Sequence, residues 1–334
     1  MKDIAQELGV SVVTVSKVLR NHSDISLETR ERVLRAMKEQ NYRPNLAARA
    51  LVTGRSFIVG LVVPDLVHPF FGVVAKGLSK ALRLKDYNLV LASSEEDPVL
   101  EREEIEQMLA RRVDAIAVAS SQTSTESFQR IEEHGTPFIL IDRKFPGLEA
   151  NFIGVDDEAV GVQVTEHLIQ AGCRRIAHIG GPGVSTAIGR LEGYRRALQN
   201  HGLEIRPEYI ISRERGDEAS DASGREAMEK LLQLNPRPDG IFCYNDPTAL
   251  GAMKAILEVG LRVPEDIAVA GCGNVQYSDF LRVPLTSIDQ DSESIGAHAA
   301  ELALALIESK TPPAARTIMV VPKLVVRDST RRTS

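Results

Sequence analysis

Apolar residues in the first forty positions recur at helical spacing in three short runs, each broken by a turn signal. Ile4, Ala5 and Leu8 share one face before Gly9 interrupts the period, which predicts a short first helix. Ser11 stands where an N-cap is needed for a second helix, in which Val12, Val15, Val18 and Leu19 are apolar while Thr14, Ser16, Lys17 and Arg20 are polar. Ser26 caps a third, with Glu28 and Glu31 near its positive end, an apolar face of Val33, Leu34 and Met37, and a stop before Pro44. Three helices in so short a span, the first two meeting across Gly9-Val10-Ser11, make a helix-turn-helix unit.

Residues 45–52 are small, apolar and helix-compatible, yet they lie between Pro44 and the break Thr53-Gly54-Arg55-Ser56 and are too few to be a stable helix alone. From Phe57 the period changes. Strand-length apolar runs at 57–63, 88–92, 114–119 and 137–141 alternate with amphipathic segments. A second series at 176–180, 240–244 and 267–271 is interleaved with helical patterns at 157–171, 187–201 and 247–259. An α/β protein with two open parallel sheets flanked by helices is expected behind the three-helix headpiece. Ligands of such sheets bind beyond the carboxyl ends of the strands, so two facing lobes make a cleft lined by strand-end loops, and its closure is a natural signal. The expected plan is a headpiece over 1–44, a hinge helix and linker over 45–55, and a bilobed ligand-sensing and dimerisation core over 56–330.

Charge sharpens this plan. Residues 1–55 carry ten Lys/Arg against six Asp/Glu, and the remainder thirty against forty, so a basic module sits on an acidic body, which suits a small end that meets phosphate. The 334 residues are 43% hydrophobic and 26% charged, a globular composition, and no apolar run approaches the roughly 20 residues of a membrane helix. Acids stand near the N-terminus where a secretory signal needs an apolar stretch, so a cytoplasmic location is expected and no membrane partner. Cys173, Cys243 and Cys272 are far apart without a C-x-x-C pair, and they read as buried thiols. His178-Ile179-Gly180-Gly181-Pro182-Gly183 follows a strand but fits no phosphate-loop pattern, and it reads as a strand-end turn. There is no H-x-x-x-H pair and no G-x-S-x-G elbow. Neither catalysis nor a metal or cofactor is expected.

The run from Gly9 to Leu19, followed by Thr29-Arg30, by Asn41-Tyr42-Arg43-Pro44-Asn45 and by Ala47-Ala48-Arg49-Ala50-Leu51, closely resembles the lactose-repressor (LacI/GalR) family, and the resemblance continues through the whole chain. It implies a DNA-binding transcription regulator, in the repressor mould, with a periplasmic-binding-protein-like sensor core. The second helix would enter the major groove with Val12, Val13 and Lys17 at the base-reading positions, while Ser11, Thr14, Ser16, Ser26 and Thr29 hold phosphates. The implied DNA-contact set also includes Arg20, Asn45, Ala48 and Arg49. Many family members carry a polar side chain at one of the two valine positions; two valines pack only on thymine methyls or sugars, which leaves Lys17 the main polar reader. Leu51 matches the hinge leucine that such regulators press into the minor groove when two hinge helices pair.

In the core the resemblance implies an effector site. His68 precedes Pro69-Phe70-Phe71, where aromatics stack on a sugar face and sugar-binding relatives have asparagine in place of the histidine. Asp142-Arg143 matches a pair that bonds ring hydroxyls, Arg190 a ligand-binding arginine, and Asn245 and Gln290 complete the set. As isolated residues, Asp142 and Arg143 also fit a surface ion pair, and Phe70 and Phe71 core packing. Gly271-Cys272-Gly273-Asn274 departs from the family pattern, because Gly273 stands where a ligand-contacting aspartate is usual. The expected effector is a sugar or sugar derivative, with a larger or anionic ligand, a phosphorylated metabolite or a partner protein left open. A pseudo-palindromic operator on double-stranded DNA calls for a homodimer, and the carboxyl end has no leucine heptads for a tetramer-forming coiled coil. The competing reading is an α/β small-molecule-binding protein whose headpiece serves an interaction other than DNA.

Overall fold

The turn between the first two helices rests on Gly9, whose φ of 66° closes α1 (Lys2–Leu8) in the left-handed conformation that glycine adopts without a Cβ penalty. Helix α2 (Val12–Leu19) follows, with Ser11 Oγ accepting the Thr14 N–H at 3.0 Å. Helix α3 (Leu27–Glu39) starts in the same way, with Ser26 Oγ accepting the Thr29 N–H at 3.2 Å. Ile4, Ala5, Val15, Val18, Val33, Ala36 and Met37 form the buried core of these helices. Leu34, expected on the inner face of α3, is instead half exposed; the spacing 33, 36, 37 puts Ala36 inward and turns Leu34 to the side.

This computed structural model describes residues 1–19, 24–40, 50, 53–122, 124–145, 147–213, 220–309, 311 and 313–332. It divides into two compact units, Met1–Ser56 and Phe57–Ser334. Arg20, Asn45, Ala48, Arg49 and Leu51 lie outside the described residues.

In the larger unit β1 (Ile58–Val63) is buried along almost its whole length, as an uninterrupted apolar run in a helix-covered parallel sheet should be. It pairs in parallel with β2 (Asn88–Ser93) and β3 (Ala115–Val118), and the sheet continues through β4 (Phe138–Ile141) and β5 (Asn151–Gly154). The second sheet is built on β6 (Ile176–Ile179), β7 (Ile210–Ile211), β8 (Gly240–Cys243), β9 (Ala268–Cys272) and β10 (Thr286–Asp289). Strands β11 (Thr317–Met319) and β12 (Lys323–Val325) complete the two orders, β11-β5-β4-β3-β1-β2 and β12-β10-β9-β8-β6-β7. The expectation of wholly parallel sheets needs one correction, since β12 runs antiparallel to β10. Only three residues separate β11 from β12, so the chain enters the second sheet directly, without a crossover helix to bring it in parallel.

The chain passes between the lobes after β5, after β10 and between β11 and β12. The flanking helices are α4 (Pro69–Arg83), α5 (Pro98–Ala110), α6 (Glu126–Glu133), α7 (Asp157–Gln170), α8 (Ser185–Asn200), α9 (Ser220–Leu232), α10 (Asp246–Glu258) and α11 (Ser292–Glu308). Three pairs of them touch backbone to backbone. In α7 and α8 the contact is at Gly161 and Gly193, where a Cβ would lie 2.2 Å from the Arg190 carbonyl oxygen and 2.1 Å from that of Glu158. Glycines 77 and 296 do the same for α4 and α11, and glycines 224 and 251 for α9 and α10. All three cysteines are buried and free, as expected. Among the described residues no helix is long and apolar enough to cross a membrane.

Gly193→Ala should push α7 and α8 apart and lower the unfolding free energy by about 1–3 kcal/mol, the usual cost of overpacking. Urea denaturation of variant and parent checks this; equal midpoints would mean that the helices slide without penalty.

Candidate functional site

Two regions bring the singled-out residues together, and each is built within one unit. On α2 the outward and inward sides differ sharply: Val12 and Val13 are 42% and 64% exposed, while Val15 and Val18 are 0% and 3%. The two valines are therefore surface residues and not part of the small core. Lys17 pairs with the Asp24 carboxylate. Ser11 Oγ and Thr14 Oγ1 share a hydrogen bond of 2.9 Å, and Ser26 Oγ donates to Thr29 Oγ1 at 2.9 Å. Each capping serine thus orders a threonine hydroxyl beside the free N–H groups of a helix start, a combination suited to an anion. Ser16 lies on α2, half-buried.

In the larger unit a cavity of about 370 Å³ opens between the carboxyl ends of the two sheets. After β1 it is lined by Pro64, Asp65, Val67, His68, Phe70 and Phe71, after β2 by Glu95 and Glu96, and after β4 by Asp142 and Arg143. The other lobe contributes Arg190 from α8, Arg213 beyond β7, Tyr244 and Asn245 after β8, Cys272 at the end of β9, and Gln290 at the crossing after β10. Phe70 and Phe71 meet edge to face at 5.0 Å and belong both to this wall and to the core beneath it.

The two arginines at the centre are buried, and each is paired. Arg143 grips Glu96 with both terminal nitrogens, Nη1 at 2.9 Å and Nη2 at 2.6 Å, and Nη1 also donates to Ser121 Oγ at 3.2 Å. Burial pushes the Glu96 carboxyl up, but this fork more than offsets it, so the group lies below its ordinary value. The loop behind Arg143 is fixed by Glu101, fully buried, whose carboxylate accepts from Ser120 Oγ at 2.7 Å and from the Ser121 N–H. Arg190 Nε donates to Asp157 at 2.9 Å and Nη1 to the Tyr244 carbonyl at 2.7 Å, with the guanidinium 4.8 Å above the Tyr244 ring. Burial drives the Asp142 and Asp157 carboxyls upward against the pull of Arg190. Asp142 also holds a left-handed backbone at φ 63°, a conformation that non-glycine residues seldom adopt outside constrained sites.

Among the described residues, hydrogen bonds tie the lobes across the cleft at two places. The Lys144 N–H donates to Ser185 Oγ at 2.8 Å, and Asn245 Nδ2 meets His68 Nε2 at 3.1 Å. Asn245 caps α10 by accepting the Thr248 N–H on Oδ1 at 2.9 Å, so its amide nitrogen is the atom presented to His68. An amide nitrogen only donates; the imidazole must accept on Nε2 and carry its proton on Nδ1. Burial first, then the charges of Arg143, Arg190 and Arg213, lower His68 to about 4.

Similarity to known proteins extends over the whole length. Residues 1–45 match the model of the bacterial regulatory proteins of the lacI family, and residues 165–330 that of the periplasmic binding protein-like domain. The transcriptional repressor PurR of Haemophilus influenzae (strain PittEE) is 32% identical over 99% of this chain and 98% of its own. The chain belongs to the lacI family of bacterial regulatory proteins. Among solved lacI-family structures, the lac repressor dimer bound to operator and the anti-inducer ONPF is 27% identical with a TM-score of 0.83, covering 98% of both chains. The complex of the transcriptional regulator CelR with cellobiose is 31% identical with a TM-score of 0.75, again over 98% of both.

Of the core residues singled out from sequence, His68, Phe70, Phe71, Asp142, Arg143, Arg190, Asn245 and Gln290 share the wall of the one cavity, whereas Gly273 is not among its lining. Gly273 adopts φ 129° and turns the place of its missing Cβ toward the Asp246 carboxylate at 3.7 Å; its neighbour Cys272 faces the cavity instead. Asp142 and Arg143 are no surface ion pair, since both are buried and Arg143 takes Glu96 as its partner. Glu96, Arg213, Tyr244 and Asp157 went unnoticed as site residues. The strand-end rule, applied to β2 as it was to β1, would have found Glu96.

Because the unfolded histidine protonates near 6.5 and His68 only near 4, the unfolded state binds the extra proton between these values, and stability is lost as pH falls through that window. An NMR titration should show the His68 ring neutral down to about pH 5, and His68→Asn should flatten the acid limb of the stability profile relative to the parent. A His68 midpoint near 6.5 would remove the buried, cation-facing position assigned to it.

Proposed function

We propose that this lacI-family regulator is a repressor that binds a pseudo-palindromic operator as a homodimer and is switched by a polyhydroxylated small molecule held between the lobes of its core. The observation that carries the DNA reading is the divided face of α2, where Val12, Val13 and Lys17 look outward while Val15 and Val18 supply the core. Val12 and Val13 then meet thymine methyls, and Lys17 exchanges Asp24 for a base edge. Ser11, Thr14, Ser16, Ser26 and Thr29 hold phosphates at the starts of α2 and α3. Arg20, Asn45, Ala48, Arg49 and Leu51 join this set on the strength of the resemblance alone.

The effector reading rests on the cavity, where His68, Asp142 and Arg143 from one lobe face Arg190 and Asn245 from the other, with Gln290 at a crossing. A ligand bonded to both sides is held only when the lobes face each other, so occupancy and closure are linked. The cellobiose bound by CelR and the operator bound by the lac repressor dimer support the two halves of the reading.

A gel shift on selected operator DNA should show steep weakening with salt, as phosphate contacts require. Lys17→Ala should relax base preference at one position per half-site at about 1–3 kcal/mol, whereas Thr14→Ala should weaken all sequences alike. Operator selection that returns the parental sequence with the Lys17 variant, or binding indifferent to salt, would sink the DNA assignment.

A further inference from the structure

The ammonium of Lys17 sits against the carboxylate of Asp24, a residue seven positions on and beyond the end of α2. With the two side chains 40% and 54% exposed, the pair adds little to the stability of the headpiece. Its position matters more. Lys17 follows Val13 by four residues, so it stands one turn further along the same outward face, and Asp24, in contact with its tip, is carried to that face too. An acid is thereby set against a residue assigned to base reading.

A carboxylate in that place is costly on DNA unless a donor meets it. The phosphates repel it, and it loses its ammonium when Lys17 turns to a base edge. The donors that the major groove offers are amino groups, N4 of cytosine and N6 of adenine, while the acceptors open to an ammonium are O6 and N7 of guanine, N7 of adenine and O4 of thymine. A G·C pair satisfies both side chains at once. Guanine sets two acceptors side by side for Lys17, and the cytosine amino group lies about 2.9 Å from guanine O6, the separation of a well-made ammonium–carboxylate pair. An A·T pair fits worse, because the adenine amino group adjoins the N7 acceptor, which repels a carboxylate, and thymine gives the ammonium one acceptor beside a methyl group.

We propose that Lys17 and Asp24 read one G·C pair as a unit, the ammonium on guanine O6 and N7 and the carboxylate on the cytosine amino group. The assignment rests on the DNA reading given above; it adds Asp24 as a second polar reader and names the base pair. One helical turn spans about 5.4 Å and base pairs step about 3.4 Å, so the thymine methyl met by Val13 lies within about two base pairs of that G·C.

Selection of operators from random duplex DNA by the full chain should return G·C at the half-site position where Lys17→Ala loses its preference. Asp24→Ala should lose preference at that same position, by about 10-fold. The sharper probe is N4-methylcytosine in place of that cytosine, which still pairs with guanine but turns its methyl group into the major groove where the carboxylate would accept. The parent should bind this duplex about 10-fold more weakly than the unmodified one, and Asp24→Ala should bind the two alike. Failure to find G·C at the Lys17 position, parental base preference in Asp24→Ala, or an equal methyl effect in parent and variant would each overturn the pair as a reader while leaving the DNA assignment standing. Binding indifferent to salt, with no operator selected, would remove both.

Discussion

Taking a guanidinium out of water is tolerable only if a carboxylate goes with it, and the core is arranged around two such pairs, Arg143 with Glu96 and Arg190 with Asp157. Each pair joins segments distant in sequence: Glu96 follows β2 and Arg143 follows β4, while Asp157 starts α7 and Arg190 lies in α8. The second pair forms because Gly161 and Gly193 let α7 and α8 approach until the Arg190 backbone touches the neighbouring helix. Removing one member of such a pair costs about 3–5 kcal/mol, since the other is left buried and alone. Arg190 therefore holds the second lobe together as well as facing the cavity, and a truncation there disturbs both at once.

What these pairs leave over shapes the cleft. With Nη1 and Nη2 committed to Glu96, Arg143 keeps only Nε. With Oδ1 committed to its helix cap, Asn245 keeps only a donor for His68, and this in turn fixes the imidazole tautomer. Helix capping, an ordinary local device, thus decides the polarity of an atom in the opposite lobe. The cleft is polar without being adaptable, because each side chain has most of its hydrogen-bonding capacity already spent on structure.

The sequence made the architecture readable where elements were long or strongly patterned. The headpiece helices, with their Ser11 and Ser26 caps, and the central strands β1, β3, β4, β6, β8 and β9 fall where periodicity puts them. The strands of two or three residues, β7, β11 and β12, escaped, being too short to show a repeated alternation of faces. The cavity residues were legible through resemblance and the strand-end rule, and their partners were not. Asp157 looks like any acid at a helix start, where the dipole alone explains it. Glu96, in Ser94-Glu95-Glu96-Asp97, looks like a solvated acidic turn; nothing local says that its partner is Arg143, or that Glu95 and Glu96 take left-handed backbone at φ 49° and 58°. Pairings of this kind belong to the folded chain and have no one-dimensional signature.

The headpiece presents the opposite situation, with a functional reading held by residues that are not buried at all. Val12 and Val13 gain only part of what burial offers at the exposures they keep, and each gives up on the order of 1 kcal/mol that full burial would have returned. Scattered exposed valines need no explanation. Here, however, the two adjoin the start of a helix whose N–H groups and threonine hydroxyl are arranged for an anion, so apolar contact and phosphate contact are offered side by side. A protein surface seldom supplies closely spaced phosphates next to methyl groups; the major groove supplies both, the phosphates along its rim and thymine methyls on its floor. It is this juxtaposition on α2, more than the net charge of the first 55 residues, that favours duplex DNA over another protein as the partner of the headpiece.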